Sequence, residues 1–483
     1  MIEAPLLDQA LGYIGGRWTG GGSGSTFPVI NPTTGECLAE VPNMGAAETE
    51  AAILAAAAIM EPFSVETRRG WLTGIAGRLK EFRSELARLI TLETGKALKD
   101  SLAEIDYSAA FFTHAARRLD VFAPRSLDGS IRDCRWMIHH RPTGVAGLIT
   151  PWNFPIGMVV KKLSAALAAG CPSVFKPDEK TPLSAIAWWG LLEQEGLPDG
   201  LINLVIGDPE PIAETLCEDP QVRYLSFTGS TDVGRILAAQ CAPHVKKLTL
   251  ELGGNAPFIV FPDADVEAAA DAFMPNKFRA GGQTCVCTNR IYVHSDIAKP
   301  FTDAVVERVR ALRVGDPLDP DTDIGTLINR DGFDKVARHV RDALDRGAFR
   351  VVGEDPERPT GDWGAIYPPT VLTHVTPQMQ ICWEETFGPV AAIAEFEEED
   401  SVIALANSTP FGLAAYVFTG DDTLAERVVS RLRFGHVGVN TGTGPTPEAP
   451  FGGVKQSGIG REGGEEGLLE FCESQTVAVR EQD

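Results

Sequence analysis

Residues 144–180 read GVAGLITPWNFPIGMVVKKLSAALAAGCPSVFKPDEK. An apolar run, GVAGLIT, ends in a proline-flanked turn. A stretch of helical period follows, MVVKKLSAALAAG, and a second apolar run, PSVFK, closes on a polar loop. Strand, helix and strand in that succession are the βαβ unit. Its parallel strands are covered on both faces, which is why these runs lack polar alternation.

The pattern continues outward. Helix LSAIAWWGLLEQEG, strand LINLVIG, helix PIAETLCED, strand VRYLSFTG, helix DVGRILAAQCA and strand KKLTLEL succeed one another. After Gly254 a second alternation opens with APFIVF (256–261), passes through NRIYVHS, a long helix at 297–313 and AAIAEFEEEDSVIALANS, and ends near GHVGVN (435–440). Two successive α/β blocks predict two doubly wound domains. Upstream, GGRWTGGGSGST (15–26) reads as a turn region, helical patterns run from about 68 to 122 after a break at Pro62, and 135–150 reads as extended. The C-terminal ESQTVAVRE reads as a lone strand. A single strand cannot satisfy its own backbone, so its partner is expected in another subunit.

Composition narrows the function classes. The 483 residues exceed the roughly 250–300 at which one core stops growing. A net charge of −23 disfavours nucleic acid and anionic membranes as partners. Nine scattered cysteines make no disulfide framework, and with no CxxC or HExxH no metal site is expected. The start lacks a basic segment followed by an apolar core, and the apolar run at 51–60 is about half the ~20 residues a membrane span needs. A soluble, cytoplasmic protein is expected.

Several stretches could carry chemistry. GIGREG (458–463) matches GxGxxG but follows no strand, so it reads as a turn. In SFTGSTDVG (226–234) Gly229 and Gly234 stand at P-loop spacing, but Arg235-Ile236 replaces the Lys-Ser/Thr pair. What remains is a strand feeding a helix start, where Ser230 and Thr231 can cap and an anion is favoured, or a plain βα turn. VFKPDEKTP puts Lys176 and Glu179 past a strand's carboxyl end, where open α/β sheets bind ligands, although a solvated charge pair is the commoner outcome. PWNFP holds Asn153 in a rigid turn, able to aim its amide at an oxyanion or to satisfy the turn itself. LTLELGG places Glu251 at a strand end, either as a surface carboxylate or as a base if burial raises its pKa. In GGQTCVCTNR (281–290), Cys285 and Cys287 are nucleophile, redox pair or small core residues.

Taken in order, PWNFP, FKPDEKTP, FTGSTDVG, LELGG, GGQTC, EETFGPV and PFGGVKQSGIGREGG resemble the aldehyde dehydrogenase superfamily from about residue 12 to 479. The resemblance implies a Rossmann-type NAD-binding domain over 1–122 and 143–252, a catalytic α/β domain over 253–440, and a β oligomerisation arm from 123–142 and 466–483. It implies Cys285 as nucleophile, Asn153 and the Cys285 N–H as oxyanion donors, and Glu251 as the base for deacylation. On the cofactor side it implies Trp152, Lys176, Glu179, Gly229, Ser230, Glu385 and Phe387. Glu179 beside the ribose argues for NAD over NADP, because a carboxylate accepts from the 2′-hydroxyl and repels a 2′-phosphate.

Within that group the sequence is most similar to succinate-semialdehyde dehydrogenases and their relatives. Arg279 matches the arginine that holds the distal carboxylate there, with Lys161, Thr446 and Phe451 as further substrate residues. Lys161 stands where the group usually has Arg, and Pro445 and Thr446 where it often has Ser. The expected substrates are therefore succinate semialdehyde, then 2-oxoglutarate or glutarate semialdehyde, then uncharged aldehydes. Relatives with TCVC can form a disulfide between the two cysteines, implying Cys287 as a redox partner. A homodimer or homotetramer is implied. The rivals are a CoA-acylating dehydrogenase, against which Glu251 argues, and a crystallin-like structural or binding protein.

Overall fold

The computed structural model describes residues 10–59, 62–127, 133–357, 359, 361 and 363–480. Parts of the ranges expected for the first domain and the arm (1–9, 60–61, 128–132 and 481–483) lie outside the described residues.

The quoted segment folds as strand Val145–Ile149, helix Gly157–Ala169 and strand Ser173–Lys176, each buried along its length. Its sheet carries five parallel strands in the order Lys247–Glu251, Val222–Thr228, Val145–Ile149, Ser173–Lys176, Ile202–Leu204. The chain therefore leaves Val145–Ile149 on one side and later returns to its other side. Beyond the carboxyl ends at such a switch point lies the ligand crevice of open α/β sheets. The ends in question are Thr150–Asn153 and Thr228–Ser230.

Two antiparallel additions escaped the sequence reading. Gly12–Ile14 and Arg17–Thr19, from the presumed turn region, extend one edge, with Tyr13 opposite Leu204. At the other edge Gly458–Ile459, inside the GIGREG turn, pairs with Leu250 and Glu251.

The second sheet runs Phe349–Val352, Thr370–Thr373, Val390–Phe396, Thr288–His294, Ala256–Val260, Ala414–Phe418, His436–Val439, parallel except at the Phe349 edge. The long helix covers Ser295–Arg310, shorter than expected.

The C-terminal strand is not an orphan. Cys472–Arg480 pairs antiparallel with Cys134–Pro142 of the same chain, Cys472 opposite Pro142 through Arg480 opposite Cys134, and Arg125–Ser126 makes a third strand. The backbone argument required a partner, but the intervening chain folds so that its own arm supplies one. Among the described residues, no helix is long and apolar enough to cross a membrane.

Candidate active site

The turn after Val145–Ile149 is clamped from a distance. Helix Gly157–Ala169 has no side-chain cap of its own. Instead Glu104, from helix Leu98–Arg117, accepts from the Ile156 and Gly157 N–H groups at 2.9 and 2.7 Å. Its other oxygen pairs with Lys96, whose Nζ also donates to the Asn153 carbonyl at 2.9 Å. Lys96 and Glu104 are both buried, so this pair resists solvent screening and fixes the backbone of PWNFP. Asn153 Nδ2 in turn donates to the Gln283 carbonyl at 2.9 Å, tying the turn to the loop that carries Cys285.

That loop is held in an uncommon shape. Ala280, Gly281 and Gly282 have φ of 51°, 63° and 76°, the left-handed region that glycine tolerates. A Cβ on Gly282 would come within 2.3 Å of the Gly388 carbonyl oxygen, so the second glycine also permits close packing. Asp100 accepts from the Ala280 N–H at 2.9 Å, and Gln283 Oε1 accepts from the Ile328 N–H at 3.1 Å. The consequence is a half-buried Cys285 at a defined position.

Two cavities meet there. One, of about 340 Å³, opens at the switch point and is lined by Trp152, Asn153, Lys180, Gly229, Ser230, Glu251, Cys285, Lys335, Glu385 and Phe387. The other, of about 260 Å³, is lined by Asp100, Tyr107, Phe154, Lys161, Arg279, Cys285, Thr443, Pro445 and Phe451. Cys285 and Met158 border both.

On the first side, Ser230 accepts from the Val233 N–H at 3.3 Å and starts helix Thr231–Cys241, as its sequence position suggested. Trp152 and Phe387 meet edge to face, 5.6 Å apart. Glu385 accepts from the Gly254 N–H at 3.2 Å, and burial pushes its carboxyl up to about 7. Lys176 and Glu179 do not line this cavity; Lys180 does. Lys176 and Lys180 reach the Glu179 carboxylate at 3.2 and 2.9 Å. Burial alone would raise Glu179, but the two ammonium groups outweigh it and hold the carboxyl at about 2.

On the second side, the Arg279 guanidinium lies 5.6 Å from the Phe154 ring, with no hydrogen-bond or ion-pair partner among the described residues. Lys161 Nζ stands 5.1 Å from the Phe451 ring and 3.7 Å from Glu462. Burial disfavours its charge, yet Tyr107, Glu462, Cys285 and Glu251 together raise its pKa. Thr446 does not line the cavity; its hydroxyl donates to Glu448 while Thr443, Gly444 and Pro445 form the wall.

Cys285 is shared by the two cavities, and Glu251 lines the first. Burial pushes the Cys285 thiol up to about 12, with Lys161 opposing. Glu251 is buried, neither oxygen has a partner among the described residues, and burial followed by the nearby Glu462 raises its carboxyl well above the ordinary range. Cys287 is buried, borders neither cavity and, like Cys285, is a free thiol.

The matching family model, described as "Aldehyde dehydrogenase family", covers residues 18–477. The chain belongs to the aldehyde dehydrogenase family. It is 45% identical to a probable succinate-semialdehyde dehydrogenase [NADP(+)] of Sinorhizobium fredii, over 95% of this chain and 94% of that protein. It is 42% identical to the succinate-semialdehyde dehydrogenase [NADP(+)] of Escherichia coli, covering 98% and 97%, and to 3-sulfolactaldehyde dehydrogenase of Pseudomonas putida, covering 99% and 98%. A solved succinate-semialdehyde dehydrogenase from Burkholderia pseudomallei superposes with a TM-score of 0.95 at 44% identity over 99% of each chain. As a member of the aldehyde dehydrogenase family, this chain is an oxidoreductase that oxidises an aldehyde.

One expectation falls here. The preference for NAD over NADP, argued from Glu179, is overturned by similar aldehyde dehydrogenases that carry NADP(+) in their names. The Glu179 carboxylate does not act alone. Glu179 is engaged by two lysines, and of the three residues only Lys180 lines the cavity.

Sequence reasoning missed Lys96, Glu104, Lys180, Lys335 and Tyr107. Lys180 stood inside a quoted motif; Glu104, Tyr107 and Lys335 come from helices, and Lys96 from the loop before one, with no local signal of proximity to Cys285.

Proposed function

We propose that this chain oxidises succinate semialdehyde, or a closely similar ω-semialdehyde acid, to the carboxylic acid with NADP as electron acceptor. The observation that carries the reading is that one thiol borders two cavities of different chemistry. The switch-point cavity suits a nicotinamide dinucleotide: a helix start and two lysines for phosphates, a carboxylate for ribose hydroxyls, and flat aromatic side chains for the ring. Ser230, Lys180, Glu385 and Phe387 would hold it, with Lys176 and Glu179 positioning Lys180. When bound, the dinucleotide takes up the hydrogen and electron pair that leave the aldehyde carbon.

The remaining steps belong to the chain. Cys285 attacks the carbonyl as thiolate, which requires that the burial of its thiol be offset, and Lys161 is the cation that favours it. Asn153 Nδ2 and the Cys285 N–H donate to the oxygen of the tetrahedral thiohemiacetal. Oxidation leaves a thioester. Glu251 then takes a proton from water, and the attacking hydroxide releases the acid. Because its carboxyl is raised, the basic form of Glu251 accumulates as pH rises, so deacylation should accelerate toward alkaline pH. Lys161 is already engaged by Glu462, so unpartnered Arg279 supplies the free positive charge for a single carboxylate tail. The exposed edge of the three-stranded sheet supports a homo-oligomer.

The test is NADPH formation with succinate, glutarate and 2-oxoglutarate semialdehydes against uncharged aldehydes of equal length. Equal kcat/KM for the uncharged set would sink the carboxylate tail, and turnover requiring CoA would sink hydrolysis. With Glu251→Gln, a burst of one NADPH per site followed by a steady rate slowed about 10²–10⁴-fold is expected.

A further inference from the structure

Cys287 follows Cys285 by two residues, yet its sulfur faces different surroundings. It accepts from Lys277 Nζ at 3.3 Å and lies 3.4 and 3.5 Å from the Lys277 and Thr288 carbonyl oxygens. Lys277, in the last turn of helix Val266–Phe278, has no accessible surface. Among the described residues no carboxylate reaches ion-pairing distance of it, and the thiol is its hydrogen-bond acceptor. Next door along the chain, Val286 and Cys285 border the 260 Å³ cavity.

We propose that Lys277 and Cys287 form a modification site, joined under peroxide by a reversible nitrogen–oxygen–sulfur bridge. In the first step the Cys287 sulfur attacks one peroxide oxygen; the O–O bond breaks, an S–O bond forms, and sulfenic acid and water result. In the second step another peroxide is reduced to water, the N–O bond forms between Lys277 Nζ and the sulfenic oxygen, and the hydrogens lost from the amine and the sulfenic acid leave in a second water. The bridge therefore adds one oxygen and removes two hydrogens. Two equivalents of a dithiol return the thiol, the amine and one water. The bridge joins the end of helix Val266–Phe278 to the strand entry beside Cys285, so it would immobilise the loop that carries the reactive thiol.

The proposal is independent of the substrate, since its readout is mass. The full-length protein is treated with hydrogen peroxide, free thiols are alkylated, and it is digested without reductant. The expected product is a peptide pair joined through residues 277 and 287, heavier than the sum of its parts by one oxygen less two hydrogens, and released by dithiothreitol. It should persist in Cys285→Ala and disappear in Lys277→Met and in Cys287→Ser. A Cys285–Cys287 disulfide as the sole cross-link of the wild-type chain would overturn the proposal. So would oxidation of Cys287 to sulfinic acid with Lys277 unmodified.

Discussion

The two cavities that share Cys285 are built by different means. The wall of the 340 Å³ switch-point cavity is made largely at strand ends and the turns that follow them: Trp152 and Asn153 after one strand, Gly229 and Ser230 after its neighbour, Glu251 at the end of a third. The wall of the 260 Å³ cavity is made of side chains from helices and a loop, Asp100 and Tyr107 on one helix, Lys161 on another, Pro445 and Phe451 far along the chain. Backbone ladders place the first set, and side-chain packing places the second. A change on the first side should therefore register in cofactor use or chemistry, and one on the second in aldehyde affinity.

The sharpest perturbation falls on the shared wall. Cys285→Ala should lower kcat on the order of 10⁴-fold or more, because among the described residues no other thiol borders either cavity. Residual turnover near the wild-type rate would remove the common point from which the two sides are told apart. Next comes Asn153→Ala, expected to cost about 10²–10³ in kcat with little change in either KM. A rise in aldehyde KM alone would instead make Asn153 a binding residue. Replacing the unpartnered guanidinium, Arg279→Ala, should raise KM for an acid semialdehyde about 10–100-fold, the worth of one charged hydrogen bond, and leave that for an uncharged aldehyde unchanged. Were the cofactor KM to move as well, the cavities would not act separately. The smallest effect is expected for Lys180→Ala: kcat/KM with NADP should fall roughly tenfold relative to NAD, given the partial exposure of Lys180. An unchanged ratio would return the cofactor choice to other residues.

The same division explains what could be read from the chain alone. Asn153, Ser230, Glu251 and Cys285 stand beside turn signals (prolines, a capping serine, paired glycines), and each signal acts over a few residues. The clamp of Lys96 and Glu104 on the Ile156 and Gly157 N–H groups leaves no such trace, because a cap supplied by another helix has no fixed spacing. Thr446 shows the opposite failure: a loop position beside the cavity wall whose side chain turns to Glu448. The lone C-terminal strand was legible as a strand, but its partner, the chain's own Cys134–Pro142, was not.

From sequence follow the two α/β blocks, the aldehyde dehydrogenase resemblance and the positions of the thiol, the amide and the buried carboxylate, since strand periodicity and turn chemistry are local. Tertiary structure alone decided that Cys285 borders two cavities, that Lys180 rather than Glu179 lines the switch-point cavity, and that Cys287 looks toward Lys277. Charges and hydrogen bonds act through space at a few ångströms, and which groups come that close is settled only when the core packs.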